Sequence, residues 1–349
     1  MKQNPFNVLY GMIPNSLIRR NDAYDQILNS FLDAGTIAMS YMILGIRGSG
    51  KTVLMRSVAK ELKQKEDWVV IDLNPQGDFV SPLAEGLFLA TKKLRINLGL
   101  SIDLGIPHIT FHLETNSTTL SSEMAIRRML DGLKKKGKRV LVTIDEIHTT
   151  EKLNYFTNFY QSLIGDESPV FLLMTGLIEN VDSLIRGKST SFLARSPKVY
   201  LNPLDLPSIS RSYQKELNIS SNDADELAKL TNGYAFAYQV IGSLCFSSGE
   251  CRVTPELLDK LDTYLAENGY GVIWNGMTQK EKDLCVTISE CPTNETSAIR
   301  EASGMSLNNF NNYRLQMIRK GYLVSAGYGK IEFALPRFKE YVTHVRNFF

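Results

Sequence analysis

Two short stretches combine residues suited to phosphate chemistry. The first, Gly45-Ile46-Arg47-Gly48-Ser49-Gly50-Lys51-Thr52, satisfies G-x-x-x-x-G-K-[ST] directly after an apolar run and before a helical pattern. Glycines let backbone N–H groups curl around phosphate oxygens without Cβ interference. A helix opening near Lys51 turns its positive dipole end toward the same anions. Lys51 is expected to reach the β- and γ-phosphates of ATP, and Thr52 to offer its hydroxyl to Mg²⁺. The expected nucleotide-contacting set is Gly45, Arg47, Gly48, Ser49, Gly50, Lys51, Thr52 and Val53. At average glycine usage the bare pattern arises by chance in roughly one chain per hundred of this length, so a fortuitous match has little room.

The second stretch, Arg139-Val-Leu-Val-Thr-Ile-Asp145-Glu146-Ile-His148, delivers two consecutive acids at the end of an apolar run. Ligands bind at the carboxyl edge of an open α/β sheet. Asp145 is expected to hold Mg²⁺, generally through a water, and Glu146 to polarise the water that attacks the γ-phosphate. Two acids after a strand otherwise serve as a helix N-terminal charge pair. His148 reads equally as a phosphate contact or as a loop histidine with no role. Thr175 closes a further apolar run, Val170 to Thr175; if the strands carrying the two motifs flank this one, Thr175 faces the γ-phosphate and orients water. An ordinary strand-end threonine is the alternative. Arg186 and Arg195 are candidates to stabilise phosphoryl charge in a neighbouring subunit, Arg195 the stronger.

These groups need a sheet to hold them. Residues 34 to 203 alternate apolar runs with helical patterns, the signature of repeated βα units and a mostly parallel sheet. Five strands are implied, at Ala38 to Leu44, Trp68 to Leu73, Arg139 to Ile144, Val170 to Thr175 and Val199 to Leu201. Ile96 to Glu114 reads as an inserted hairpin or extended excursion. After Pro203 the pattern turns helical, with segments at Leu206 to Leu217, Asp223 to Leu230, Tyr234 to Phe246 and Pro255 to Glu267. A chain of 349 residues with 43% hydrophobic and 22% charged residues can fill more than one core and is not disordered. Its longest apolar runs fall well short of the roughly 20 residues that cross a bilayer, so no membrane partner is expected. Met1-Lys-Gln-Asn-Pro-Phe6 has no apolar signal core, which points to a cytoplasmic location. Cys245, Cys251, Cys285 and Cys291 pair at a spacing of five intervening residues, wider than the usual two to four of zinc sites, and read as buried thiols.

The last 75 residues have their own grammar. Thr278 with Glu281 is a capping-box pattern opening one helix, a second spans about Glu295 to Ala302, and Ser306 caps a third that ends before Gly321. Two short strands follow, joined through Gly327-Tyr328-Gly329. Three helices and a hairpin in that order make a winged helix-turn-helix. The global charge of +2 provides no basic field, so nucleic-acid binding must be local. The third helix places amides and cations away from Phe310 and Met317, with Asn308, Asn309, Asn312, Arg314, Arg319 and Lys320 outward and Lys330 and Tyr328 on the wing. Asparagine can pair with adenine edges, and arginine or lysine with guanine or phosphate. The expected contacts to double-stranded DNA are Asn308, Asn309, Asn312, Arg314 and Lys330. Winged helices also serve as protein-protein adaptors, which leaves a protein partner open.

With these motifs in place, the chain resembles the AAA+ ATPases of the origin-recognition and archaeal replication-initiator group that carry a C-terminal winged helix. The likeness rests on Asn4-Pro5-Phe6, Ile13-Pro14 and Arg20, on Gly45 to Thr52, Asp145 to His148 and Ser191 to Arg195, and on the wing ending at Leu323 to Tyr341. It implies a P-loop NTPase parallel sheet of the ASCE/AAA+ type over residues 1–204, a helical lid over 205–273 and a winged helix-turn-helix over 274–349. It also implies that Arg20 and Ile18 line the adenine pocket. Relatives place a sensor arginine near a lid glycine, whereas Gly233-Tyr-Ala-Phe-Ala-Tyr-Gln239 contains none. The implied activity is ATP hydrolysis that switches DNA binding, with possible homo-oligomerisation on ATP or DNA. The alternative is a STAND-like signalling or defence ATPase, which the glycine- and aromatic-rich lid also resembles.

Overall fold

A computed structural model describes residues 3–9, 11–33, 38–104, 109–113, 119–181 and 191–346. The chain divides into two units, one of residues 21–44 and 51–200, the other of 1–20, 45–50 and 201–349. This differs from the three-part division expected from the sequence, because the lid helices and the C-terminal elements share one hydrophobic core.

The first unit is built on a five-stranded parallel sheet. Its strands are β1 (Ser40–Leu44), β2 (Trp68–Leu73), β6 (Arg139–Ile144), β7 (Val170–Gly176) and β8 (Lys198–Tyr200), in the order β2-β6-β7-β1-β8. Every residue of β1 and β7 is buried, which is why these strands read as unbroken apolar runs rather than alternating ones. Between β2 and β6 lies an antiparallel excursion of β3 (Leu100–Leu104), β4 (Ile109–Leu113) and β5 (Thr119–Leu120). The hairpin expected there is present and gains a third strand.

Among the described residues, six helices belong to this unit: α1 (Asn21–Leu32), α2 (Lys51–Lys63), α3 (Val80–Lys93), α4 (Ser122–Lys135), α5 (Glu151–Gly165) and α6 (Ser191–Arg195). Met42, Leu44, Val142, Ile144, Leu172 and Met174 on one sheet face join Leu83 and Leu87 of α3, Met129 and Leu133 of α4, and Phe156 and Tyr160 of α5. On the opposite face Phe31 packs edge-on to Tyr41 and Phe171, and Arg139 lies 4.5 Å over Trp68 while donating to Asp67 and to the Phe31 carbonyl. Strand periodicity of two residues produces this division of Tyr41 from Met42.

The second unit is helical apart from one ribbon. It contains α7 (Leu206–Leu217), α8 (Ser221–Thr231), α9 (Ala235–Ser248), α10 (Pro255–Leu265), a π-helical turn at Ala266–Tyr270, and α11 (Gly271–Gly276). These are followed by α12 (Gln279–Glu290), α13 (Thr296–Ser303), α14 (Leu307–Arg319), the antiparallel pair β9 (Leu323–Ser325) and β10 (Ile331–Phe333), and α15 (Phe338–Arg346). Three helices and a ribbon therefore stand in the expected order. The Thr278 and Glu281 capping box is present in both directions, Ser306 accepts the Asn309 N–H, and Gly321 after α14 has φ of +77°. Phe6 packs against Tyr213 and Tyr238, so the N-terminal segment is part of this core. Cys245, Cys285 and Cys291 are buried thiols, and Cys251 is half-buried.

Candidate functional site

In the sheet unit, α2 begins at Lys51, and Lys51 is 6% exposed. Strand β7 lies between β1 and β6, the arrangement that brings Thr175 beside the acidic pair. The Thr52 hydroxyl donates to both carboxylate oxygens of Asp145, at 3.0 and 2.9 Å. The Thr175 hydroxyl also donates to Asp145 and accepts the Glu146 N–H at 2.9 Å. The Ile147 N–H reaches the Thr175 carbonyl at 2.8 Å. Glu146 has φ of +54°, a left-handed conformation that only a few per cent of non-glycine residues adopt. Its own amide and its neighbour's are tied to Thr175, which fixes the turn that carries the carboxylate out of β6. The Thr175 hydroxyl, expected to orient water, here braces the acidic turn between Asp145 and the Glu146 amide. His148 is exposed, with Nδ1 3.2 Å from the Glu146 carbonyl.

Thr52 and Asp145 supply hard oxygen donors from two adjoining groups, a set suited to Mg²⁺. Arg195 is exposed at the end of α6, as a residue acting on another subunit must be. Arg186 lies outside the described residues.

In the helical unit, the loop 45–50 has left-handed glycines at Gly48, φ +75°, and Gly50, φ +92°. A Cβ on Gly48 would sit 2.3 Å from the Tyr234 hydroxyl oxygen, whereas one on Gly50 would meet nothing within 4 Å. Only glycine satisfies the first position on both counts, and the second leaves open space where an anion can approach. The Ser49 hydroxyl is buried with no hydrogen-bond partner among the described residues, an orphaned polar group that a phosphate oxygen would satisfy. Positive-φ backbone of this kind and an unpartnered hydroxyl fit a phosphate group.

Three groups hold the loop from outside. The Tyr234 hydroxyl donates to the Arg47 carbonyl at 2.8 Å, the Phe236 N–H donates to the Gly48 carbonyl at 3.1 Å, and Arg20 donates to the Ser49 carbonyl at 2.9 Å. Arg20 also donates to the Asn202 carbonyl, and burial lowers its pKa to about 10. The Arg20 guanidinium, expected at the adenine base, lies on the Asn202 and Ser49 carbonyls. Ile18 packs against the helical core. Tyr234 carried no role in the sequence reading; the only signal was an aromatic immediately after Gly233 where an arginine was sought.

Asn308, Asn309, Asn312 and Lys330 are exposed, and Tyr328 is fully so. Arg314 is half-buried, with Nε lacking a hydrogen-bond partner among the described residues. Lys320 does not face outward: its ammonium lies 2.8 Å from Glu281, which is 1% exposed. Burial raises the Glu281 pKa, but bonds to Lys320 and Thr278 outweigh it and the net shift is downward.

Residues 37–183 match the family described as AAA domain. That segment is an AAA domain. Residues 267–342 match a family described as a domain of unknown function (DUF8462). No curated protein matches by sequence. Among solved structures, the chain is similar to the Aeropyrum pernix ORC2 protein in its ADPNP-ADP complexes, at 13% identity, 97% coverage of both chains and a TM-score of 0.61. It is also similar to Cdc6p from Pyrobaculum aerophilum, at 14% identity, 97% coverage of both chains and a TM-score of 0.51. At these identities the likeness establishes the fold, an α/β P-loop NTPase sheet with a helical C-terminal region. Among the described residues no helix is long and apolar enough to cross a membrane.

Proposed function

We propose that this chain is an AAA+ ATPase that uses Mg-ATP binding and hydrolysis as a switch controlling duplex DNA binding by a C-terminal winged helix-turn-helix. Gly48, Gly50 and Lys51 hold the phosphates, with Gly45, Arg47, Ser49 and Val53 completing the loop. Thr52 and Asp145 would hold Mg²⁺, which when bound would supply positive charge beside the γ-phosphate. Glu146 takes the proton of the attacking water, and Thr175 keeps both acids in register. Arg195 is the candidate to act on a neighbouring subunit's nucleotide. The Aeropyrum pernix ORC2 structure was solved with ADPNP and ADP, which supports ATP as the ligand.

The observation that carries the coupling lies in the helical unit. A Cβ on Gly321, the residue that ends α14, would sit 2.4 Å from Ile46 Cγ2, so the phosphate loop and the end of the candidate recognition helix touch directly. A second route is aromatic: Tyr234 stacks on Tyr270, which meets Phe338 and Tyr341 of α15. Loop movement on nucleotide binding would reach the winged helix through both.

A signalling ATPase whose winged helix binds protein is the second reading. It is favoured by Leu307 and Leu315, which are 57% and 56% exposed on α14. One experiment separates the two: turnover and particle mass measured together with Mg-ATP and duplex DNA. DNA-stimulated turnover in a larger, salt-sensitive assembly supports the first. No stimulation and no DNA retention at low salt supports the second.

A further inference from the structure

We infer that Tyr234 and Arg20 are positioning residues for the phosphate loop, holding its carbonyls so that its amides are preset for the nucleotide before it arrives. The inference rests on the assignment of Gly45 to Thr52 as the phosphate-binding loop.

The reasoning starts from the peptide unit. A trans peptide is planar, and its C=O and N–H point in opposite directions. A bond to the carbonyl of one residue therefore turns the amide of the next to the other side. Tyr234 holds the Arg47 carbonyl, which turns the Gly48 N–H away from the lid. Arg20 holds the Ser49 carbonyl, which does the same for the Gly50 N–H. Between them the Phe236 N–H holds the Gly48 carbonyl, and the Ser49 N–H closes a turn on the Ile46 carbonyl at 3.3 Å. The successive carbonyls of Ile46, Arg47, Gly48 and Ser49 are thus all occupied. The left-handed Gly48 and Gly50 are the residues that make this strip possible.

Tyr234 is itself held. It opens α9 after the Asn232-Gly233 turn, where both residues have positive φ, and its N–H donates to the Thr231 carbonyl at 2.9 Å. Its ring packs on Phe236 and Tyr270. Burial raises the phenol pKa, so the hydroxyl stays protonated and remains a donor across the physiological range. A lid that braces carbonyls acts on the nucleotide through the loop, and it does so without the cation that lid helices of relatives place near the phosphates. Because binding coupling is reciprocal, nucleotide must in turn tighten the lid on the loop.

The test compares Tyr234→Phe, which removes one O–H and keeps the ring, with Arg20→Gln, Arg20→Lys and Lys51→Ala in the full chain. Mg-ADP and Mg-ATP affinities, KM, kcat and amide exchange at Phe236 are measured. We expect Tyr234→Phe and Arg20→Gln each to raise Kd and KM by roughly three- to tenfold, in line with the loss of one hydrogen bond, with kcat within about twofold. Arg20→Lys, which keeps a donor, should recover part of the loss. Mg-ATP should slow Phe236 amide exchange in the wild type and less so in Tyr234→Phe. Wild-type Kd and KM in both Tyr234→Phe and Arg20→Gln, with binding lost in Lys51→Ala, would overturn the bracing alone. Undiminished binding in Lys51→Ala would overturn the loop assignment beneath it.

Discussion

The acidic edge of the sheet and the outer face of α14 are both candidate sites, yet they are built in opposite ways. At the sheet edge each polar group is tied to another: Thr52 to Asp145, Asp145 to Thr175, and Thr175 to the Glu146 amide. On α14 the amides Asn308, Asn309 and Asn312 are exposed. The first site is set before its ligand comes, as electrostatic stabilisation of a transition state requires. The second needs no such bracing, because a duplex supplies its own rigid array of acceptors and donors. Preset geometry belongs where bonds are broken, and exposed adaptable groups belong where a surface is read.

The contrast can be broken most forcefully at Lys51. Lys51→Ala should abolish nucleotide binding and lower turnover by at least about 100-fold, since the proposed phosphate contact of this buried cation would have no substitute; equilibrium titration with labelled Mg-ATP measures the first effect directly. Thr175→Val keeps the shape of the side chain but removes one of the two hydroxyl donors to Asp145 and strands the Glu146 N–H. It should lower kcat by roughly tenfold and stability by about 1–3 kcal/mol, read from steady-state turnover and chemical denaturation. If kcat were unchanged, the edge would be no better ordered than α14.

Smaller effects are expected on the second surface. Changing Asn309, Arg314 and Lys330 together to Ala should weaken duplex DNA binding by roughly tenfold and reduce the salt slope by about 2, one unit for each cation removed. Of these, Arg314 should contribute least, since it is half-buried. Glu281→Gln should have the smallest effect. The Glu281 pKa is lowered in the folded chain, so its contribution is present above the unfolded value of 4.5 and is lost as pH falls through the lower folded value. Wild type should exceed the variant by about 1–2 kcal/mol at neutral pH, and the gap should close in acid. A gap that widened in acid would contradict the ion pair with Lys320.

The sequence made the scaffold legible because its strongest patterns have one structural solution. A buried parallel strand must be apolar throughout, so β1, β6 and β7 stood out at nearly their full length. The capping box at Thr278 and Glu281 and the glycine at 321 set the ends of α12 and α14, for equally local reasons. What stayed hidden depends on distant partners. Arg20 and Ser49 are 29 positions apart, Arg47 and Tyr234 are 187 apart, and no local period links them. Lys320 follows the cationic stripe of α14 in sequence, yet a capping glutamate on another helix captures it. The same holds for Thr175, whose role became readable only when β7 was found between β1 and β6.

The most direct test of the central claim is Glu146→Gln, examined for Mg-ATP binding and Mg-ATP turnover in the same preparation. A glutamine keeps the size of the side chain and removes the base. The account predicts wild-type affinity with turnover lowered by at least about 100-fold, within the range assigned to general base catalysis. Turnover equal to that of the wild type would contradict it and remove Glu146 from the chemistry.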